Sequence, residues 1–199
     1  MTTTVRFWFD PTCPFTWATS CWLRETATAQ DAQVEWQLMS LAVLNDGQPV
    51  PERVRSHMAL SWRALRVLAA AERKDGSPAV GALFTALGAR LHEQGRSIDD
   101  AVLAESLAEA GLPADLLTAA DDGSLDDDVR ASHQRAQERV GTDSGSPVLA
   151  FGDGPAWFGP VVSPVPTGQA ATELWRGLEA LSRVPQFSEL KRGRAPLHG

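Results

Sequence analysis

Val5 to Phe9 is a short run of β-branched and aromatic residues that breaks at Asp10-Pro11, the pattern of a buried strand ending in a turn. Pro14 suits the first turn of a following helix, where its missing N–H costs nothing. That helix carries Trp17, Cys21 and Trp22 and is expected to reach Gln30. Val34, Trp36 and Leu38 then alternate with polar residues up to Met39, which predicts a second strand. Strand, helix and strand in immediate succession make a βαβ unit.

The period changes after residues 45–51, NDGQPVP, which are turn chemistry. Val54, Met58, Trp62, Leu65 and Leu68 fall on one helical stripe, and Val80, Leu83, Phe84, Leu87 and Leu91 on another. Ser97 with Asp100 forms a capping-box variant opening a helix with Ile98, Val102, Leu103 and Leu107; Gly111 ends it and Pro113 begins a short one. Leu125, Val129, Ala136 and Val140 mark a last long helix closed by Gly141. Strand signals return at Val148 to Phe151 and Ala156 to Phe158, joined by a GDG turn as a hairpin. A final amphipathic helix (Ala171, Leu174, Trp175, Leu178, Leu181) follows the N-cap candidate Thr167, and the basic run KRGR comes after it. The order β-α-β, several helices, β-β-α predicts a small α/β domain, 1–48 and 123–199, interrupted by an all-helical insertion, 49–122.

Composition narrows the function. The 199 residues are 43% hydrophobic and 22% charged, the make-up of a globular chain. Eighteen Lys and Arg against 25 Asp and Glu give a net charge of −7, which argues against nucleic acid as a partner. No apolar run approaches the ~20 residues of a membrane span, and the N-terminus MTTTVRFWFD lacks the pattern of a secretory signal. A cytoplasmic monomer without a bound cofactor is expected. Two cysteines and four histidines show no metal-ligand spacing, so no metal site is expected. The acidic run DDGSLDDD (121–128) reads as a solvated loop and helix start.

The chemistry centres on Cys13 in FDPTCPFTW. A cysteine just ahead of a helix faces unpaired backbone N–H groups and the positive end of the dipole, both of which favour the nucleophilic thiolate. The alternative is a small buried hydrophobe. A C-x-x-C pair would place its second thiol at position 16, which is Thr16. Cys21, eight residues along the helix, lies roughly 12 Å away and about 80° around the axis, beyond the ~7 Å that a disulfide spans. The Thr16 hydroxyl is placed either to donate to the Cys13 sulfur or to bond its own helix backbone. Asp10 reads as a turn cap.

The segments FWFDPTCPFTW, MSLAVLN (39–45), LHEQG (91–95), GSPVLAF (145–151), WFGPVVSPVPTGQAA (157–171) and ELKR (189–192) resemble the mycothiol-dependent nitroreductases, a cytosolic offshoot of the DsbA-like thioredoxin-fold proteins. The resemblance runs nearly end to end and implies a thioredoxin-like fold of DsbA type, with mycothiol as co-substrate. It makes Cys13 the catalytic sulfur and Pro147 the cis-proline facing it, with Ser146 offering its backbone to a thiol ligand. Asn45 and His92 match the substrate pocket of that family, and Pro14, Phe15 and Trp17 flank the sulfur. The family's usual Cys-Pro-Trp-Cys is here Cys13-Pro14-Phe15-Thr16, and a tyrosine common in the family is Val54. The expected function is therefore a thiol oxidoreductase with one sulfur, Cys13 supported by Thr16, acting on disulfides or small electrophiles with a low-molecular-weight thiol. A thiol-conjugating transferase and a redox-inactive binding protein are the alternatives.

Overall fold

The structure, a computed structural model, describes residues 3–193, and within them every side chain except those of Arg53 and Val54. Val54 of the first stripe and Arg194 of the basic run thus lie outside the described residues. Strand β1 (Thr3–Phe9), helix α1 (Pro14–Ala29) and strand β2 (Ala32–Leu38) open the chain as the βαβ unit. Strands β3 (Val148–Phe151) and β4 (Ala156–Phe158) complete one sheet in the order β2-β1-β3-β4. β1 runs parallel to β2, with Phe7 beside Trp36, and antiparallel to β3, with Phe7 beside Leu149.

Alternation along β1 builds two cores. Val5, Phe7 and Phe9 join the larger one with Trp22 and Leu23 of α1, and with Trp175 of α6 (Gly168–Leu181). Trp8 points the other way, into a smaller core with Met39, Val148 and Ala136. Ala136 belongs to α5 (Asp126–Val140), so α5 covers the second face of the sheet. This is a thioredoxin-like arrangement of DsbA type, with a block of helices standing between β2 and α5.

That block begins after a four-residue helix the sequence pattern did not reveal, α2 (Leu41–Leu44). The two predicted stripes then lie on one long element, α3 (Glu52–Gly88), except Leu91, which falls just beyond it; α3 is broken at Gly76, whose φ of 73° suits glycine alone. At the break the Ser77 hydroxyl accepts the Trp36 N–H at 2.6 Å and so closes the outer edge of β2. Two later glycines of α3 lie under aromatic rings. A Cβ on Gly81 would come within 2.4 Å of the Trp36 indole, and one on Gly88 within 2.2 Å of Trp17. Phe84, between them, stacks on Phe9 with centroids 3.9 Å apart.

Two expectations need correction. Helix α4 (Asp100–Glu109) is capped by Asp99, whose carboxylate accepts from the Val102 N–H at 2.7 Å, and not by Ser97. The acidic run is not merely solvated. Asp121 pairs with Arg63, Asp126 with Arg66 and Asp128 with Arg73, so α3 holds the run along its length. Short 3₁₀ turns over Ala114–Asp121 and Gly123–Leu125 carry the chain between them.

Candidate functional site

Cys13 is the N-cap of α1, reached through the turn in which its N–H donates to the Asp10 carbonyl at 3.2 Å. Its carbonyl accepts the Trp17 N–H, and its side chain is only 7% exposed. The thiol donates to the Ser146 carbonyl at 3.6 Å, and the Ser146–Pro147 peptide is cis. The Ser146 hydroxyl accepts the Asp10 N–H at 2.9 Å and shares a 2.8 Å hydrogen bond with the Thr16 hydroxyl. Thr16 is fully buried. It therefore faces the segment that leads into β3, where Ser146 sits, and its hydroxyl is bonded there.

Burial pushes the Cys13 thiol above its ordinary pKa, and the Asp10 carboxylate adds to this. The Thr16 hydroxyl and the backbone N–H groups of Thr16 and Phe15 pull it back without overcoming burial. The balance runs opposite to the lowering expected from the helix start alone: the donors are present, but the sulfur is buried. Desolvation penalises the charged form whatever the helix dipole contributes.

Asp10 does more than cap a turn. Its carboxylate is fully buried and accepts from the Thr12 N–H (2.8 Å), the Thr12 hydroxyl (2.7 Å), the Leu41 N–H (2.8 Å) and the Ser61 hydroxyl (3.2 Å). One side chain thus ties the cysteine loop to the start of α2 and to α3.

His92 sits in a π-helical turn, Ala89–Glu93, that follows α3. Its Nε2 lies 2.9 Å from the Pro11 carbonyl, which only accepts, so Nε2 carries the proton. The ring stacks on Trp17 with centroids 5.9 Å apart. Burial lowers the His92 pKa while the Pro11 carbonyl opposes it, which keeps the imidazole neutral near pH 7.

A cleft of about 370 Å³ opens beside the cysteine loop. Thr12 and Pro14 form its floor; His57 and Leu60 of α3 and His92 form a wall; Arg96 and Ser97 add polar groups at the end. Of the predicted residues, Ser146 and Thr16 meet at the sulfur, Pro147 follows Ser146 through the cis peptide, and Pro14 and His92 line the cleft. Phe15 is half-buried and does not line it, and Trp17 is buried behind His92. Asn45 is placed elsewhere: it ends α2, and its amide donates to the Leu41 carbonyl at 2.7 Å, outside the cleft. The sequence pattern does not mark His57, Ser61 or Arg96, and it marks Ser97 only as a helix cap. The spacing of His57, Leu60 and Ser61, three and four apart on one helix face, was the available signal.

Both cysteines are free. Cys21 is half-buried beside Arg24, whose Nη2 reaches its sulfur at 3.3 Å while the guanidinium lies 4.8 Å from the Trp17 ring centre. Among the described residues no three His, Cys, Asp or Glu side chains meet as a metal site, and no helix is long and apolar enough to cross a membrane.

A helix-capping cysteine set against a cis-prolyl strand entry, on a sheet of this order, defines a DsbA-type thioredoxin-like protein. The chain belongs to the Rv2466c-like family, described as mycothiol-dependent nitroreductase Rv2466c, whose pattern matches residues 12–192. It is 37% identical over 199 residues to the uncharacterized protein Rv2286c of Mycobacterium tuberculosis (strain ATCC 25618 / H37Rv), covering 98% of this chain and 84% of that one. The fold is shared with the cytosolic disulfide reductase DsbM from Pseudomonas aeruginosa with GSH (22% identity, TM-score 0.58, 91% and 100% of the two chains). It is shared too with the probable DsbA oxidoreductase SCO1869 from Streptomyces coelicolor (17%, TM-score 0.59, 96% and 93%).

Proposed function

We propose that this protein is a cytoplasmic thiol oxidoreductase working with one sulfur, Cys13, and a low-molecular-weight thiol, mycothiol by family membership. The observation that carries the reading is Thr16. It occupies the second position of the C-x-x-C spacing, fully buried and bonded to Ser146, so no resolving thiol stands there. The Cys13 thiolate attacks one sulfur of a disulfide; a Cys13 mixed disulfide forms and the other half leaves as a thiolate. A second small thiolate then attacks the mixed disulfide, releasing Cys13 and a new small disulfide, with no net change of electrons in the protein.

The cleft beside Pro14 offers the seat for the incoming molecule. The Ser146 carbonyl, which accepts the Cys13 S–H, is freed once that hydrogen is lost to disulfide formation, and can take an amide N–H of the bound thiol. The raised pKa of Cys13 favours a second reading, in which the site only binds a thiol or activates one for conjugation.

Mass spectrometry after incubation with oxidised mycothiol and, separately, oxidised glutathione separates these readings. Wild type should carry a mixed disulfide on Cys13, and Thr16→Cys should release the captured thiol as an internal disulfide closes one turn away. An unmodified Cys13 with both disulfides, even at alkaline pH, would leave the second reading.

A further inference from the structure

The face of the sheet turned toward α5 carries a second cleft, of about 280 Å³, that the thiol chemistry does not use. Alternation places Arg6 and Trp8 of β1 on this face, and the β1–β2 register sets Gln37 beside Trp8. α5 supplies Arg135, Glu138 and Arg139, three and four residues apart and so on one helical face. Three guanidinium groups line a small cleft of a chain whose net charge is −7.

Those groups are only partly engaged. Arg6 uses Nε on Glu35 and Nη1 on Asp153, both at 2.8 Å, and Nη1 also donates to the Gly152 carbonyl at 3.0 Å, which leaves Nη2. Arg139 donates through Nη2 to the Gly154 carbonyl and lies 5.4 Å from the centre of the Trp8 ring. Arg135 is exposed, and Glu72 of α3 lies close enough for the two charges to interact. Glu138, the one acid among the described residues that line the cleft, accepts from Gln134 along α5. Burial lowers the Arg139 pKa and the Arg6 charge pushes it the same way, against a smaller opposing pull from Asp153, so the two guanidinium groups face each other as like charges. Trp8 supplies a second, independent sign. It is 2% exposed, and its buried indole N–H has no hydrogen-bond partner among the described residues. Orphaned buried donors are rare in native proteins and call for an acceptor.

We infer that this cleft binds a small phosphate-bearing ligand through Arg6, Arg135 and Arg139, with Gln37 and the Trp8 indole at its floor. Guanidinium groups reaching in from two elements suit an oxyanion with three or more acceptor oxygens better than a carboxylate with two. The volume sits just under the ~300 Å³ at which sites for drug-sized ligands begin, which restricts the ligand to inorganic phosphate or a small phosphomonoester.

The test uses the full chain labelled with ¹⁵N-tryptophan, its Trp8 indole resonance assigned through Trp8→Phe. Inorganic phosphate and glucose 6-phosphate are titrated separately against chloride at matched ionic strength. The expected result is a saturable shift of the Trp8 indole signal with one or both phosphates and none with chloride. Saturation by both assigns the site to the phosphate group itself, and saturation by the ester alone assigns it to a phosphomonoester. Arg135→Gln, at an exposed position, should weaken binding about tenfold, the loss of one charge-assisted hydrogen bond, and leave the alkylation rate of Cys13 unchanged. A shift that chloride reproduces, no saturable shift with either phosphate, or equal binding by Arg135→Gln would overturn the proposal.

Discussion

The loop that carries Cys13 and the helical block that faces it are held by opposite kinds of polar chemistry. Around the loop the polar groups are buried and reciprocally satisfied: Asp10, Ser61, Thr16 and Ser146 are each 6% exposed or less and bonded to one another or to backbone. In the block the polar contacts are ion pairs at the rim. Arg63 bridges Asp100 and Asp121, whose side chains are 71% and 80% exposed, and Arg90 and Arg96 converge on Glu105. Buried networks fix geometry at high cost if broken, whereas exposed pairs contribute little and yield easily. The cleft takes its floor from the first region and its wall from the second. The cysteine loop is therefore the more firmly held of the two regions, and His92, bonded to the Pro11 carbonyl and stacked on Trp17, is where the second is tied to it.

The sharpest way to break this contrast is to remove one anchor from each side. Asp10→Ala would strand four donors, in the cysteine loop, at α2 and on α3, and should destabilise the fold by about 3–5 kcal/mol. Arg63→Ala should cost less than ~1 kcal/mol. Urea midpoints of the two variants check the pair; similar losses would erase the distinction.

Gly88→Ala acts where the two regions touch. Its new methyl must displace the Trp17 ring on which His92 stacks, an overpacking expected to cost about 1–3 kcal/mol and to shift the cleft wall. Gly177→Ala, in α6 with open space around its Cβ, is the control and should be neutral or stabilising.

Thr16→Val keeps the shape of the site and deletes the hydroxyl that lowers the Cys13 pKa. The pH midpoint of Cys13 alkylation should rise from a wild-type value already above that of a free thiol, with a stability cost of about 1–2 kcal/mol for the Ser146 hydroxyl left short of a partner. An unmoved midpoint would mean that Thr16 does not act on the sulfur.

The smallest effect is a pH dependence. His92 and His133 are both depressed by burial from an ordinary 6.5, and the His133 Nδ1 accepts the Ser40 N–H. The unfolded chain takes up protons on these rings before the folded one does. Stability is thus complete above about pH 6.5 and falls as pH drops toward the folded values. Denaturant midpoints between about pH 7.5 and 5.5 should show this fall, and His92→Gln should flatten part of it.

The sheet was legible because β1, β3 and β4 are short apolar runs bounded by Pro, Gly and Asp, signals that depend on neighbours in sequence. The cysteine loop was legible for the same reason: a strand end, a turn proline and a helix proline surround one thiol. What sequence did not carry was long-range. Nothing local says that Ser61 reaches Asp10, or that Arg63, Arg66 and Arg73 are spaced to meet the acidic run. The pKa of Cys13 was misjudged on the same ground. Helix position is written in the sequence, but the burial that outweighs it is a product of the tertiary fold, in which Ser146, 133 residues away, comes to accept the thiol. Asn45 fell outside the cleft because a four-residue helix, too short to show a period, consumes its amide.

The glycines beneath Trp36 and Trp17 also constrain how this chain can change over evolutionary time. Each indole occupies the volume that a side chain on α3 would need, so Gly81 and Trp36, and Gly88 and Trp17, are shape-complementary couples. Neither member can drift alone: enlarging the glycine collides with the ring, and shrinking the ring opens a hole over a residue with nothing to fill it. A lineage that lost either tryptophan would be released to acquire a side chain at the matching glycine, and the two substitutions should travel together.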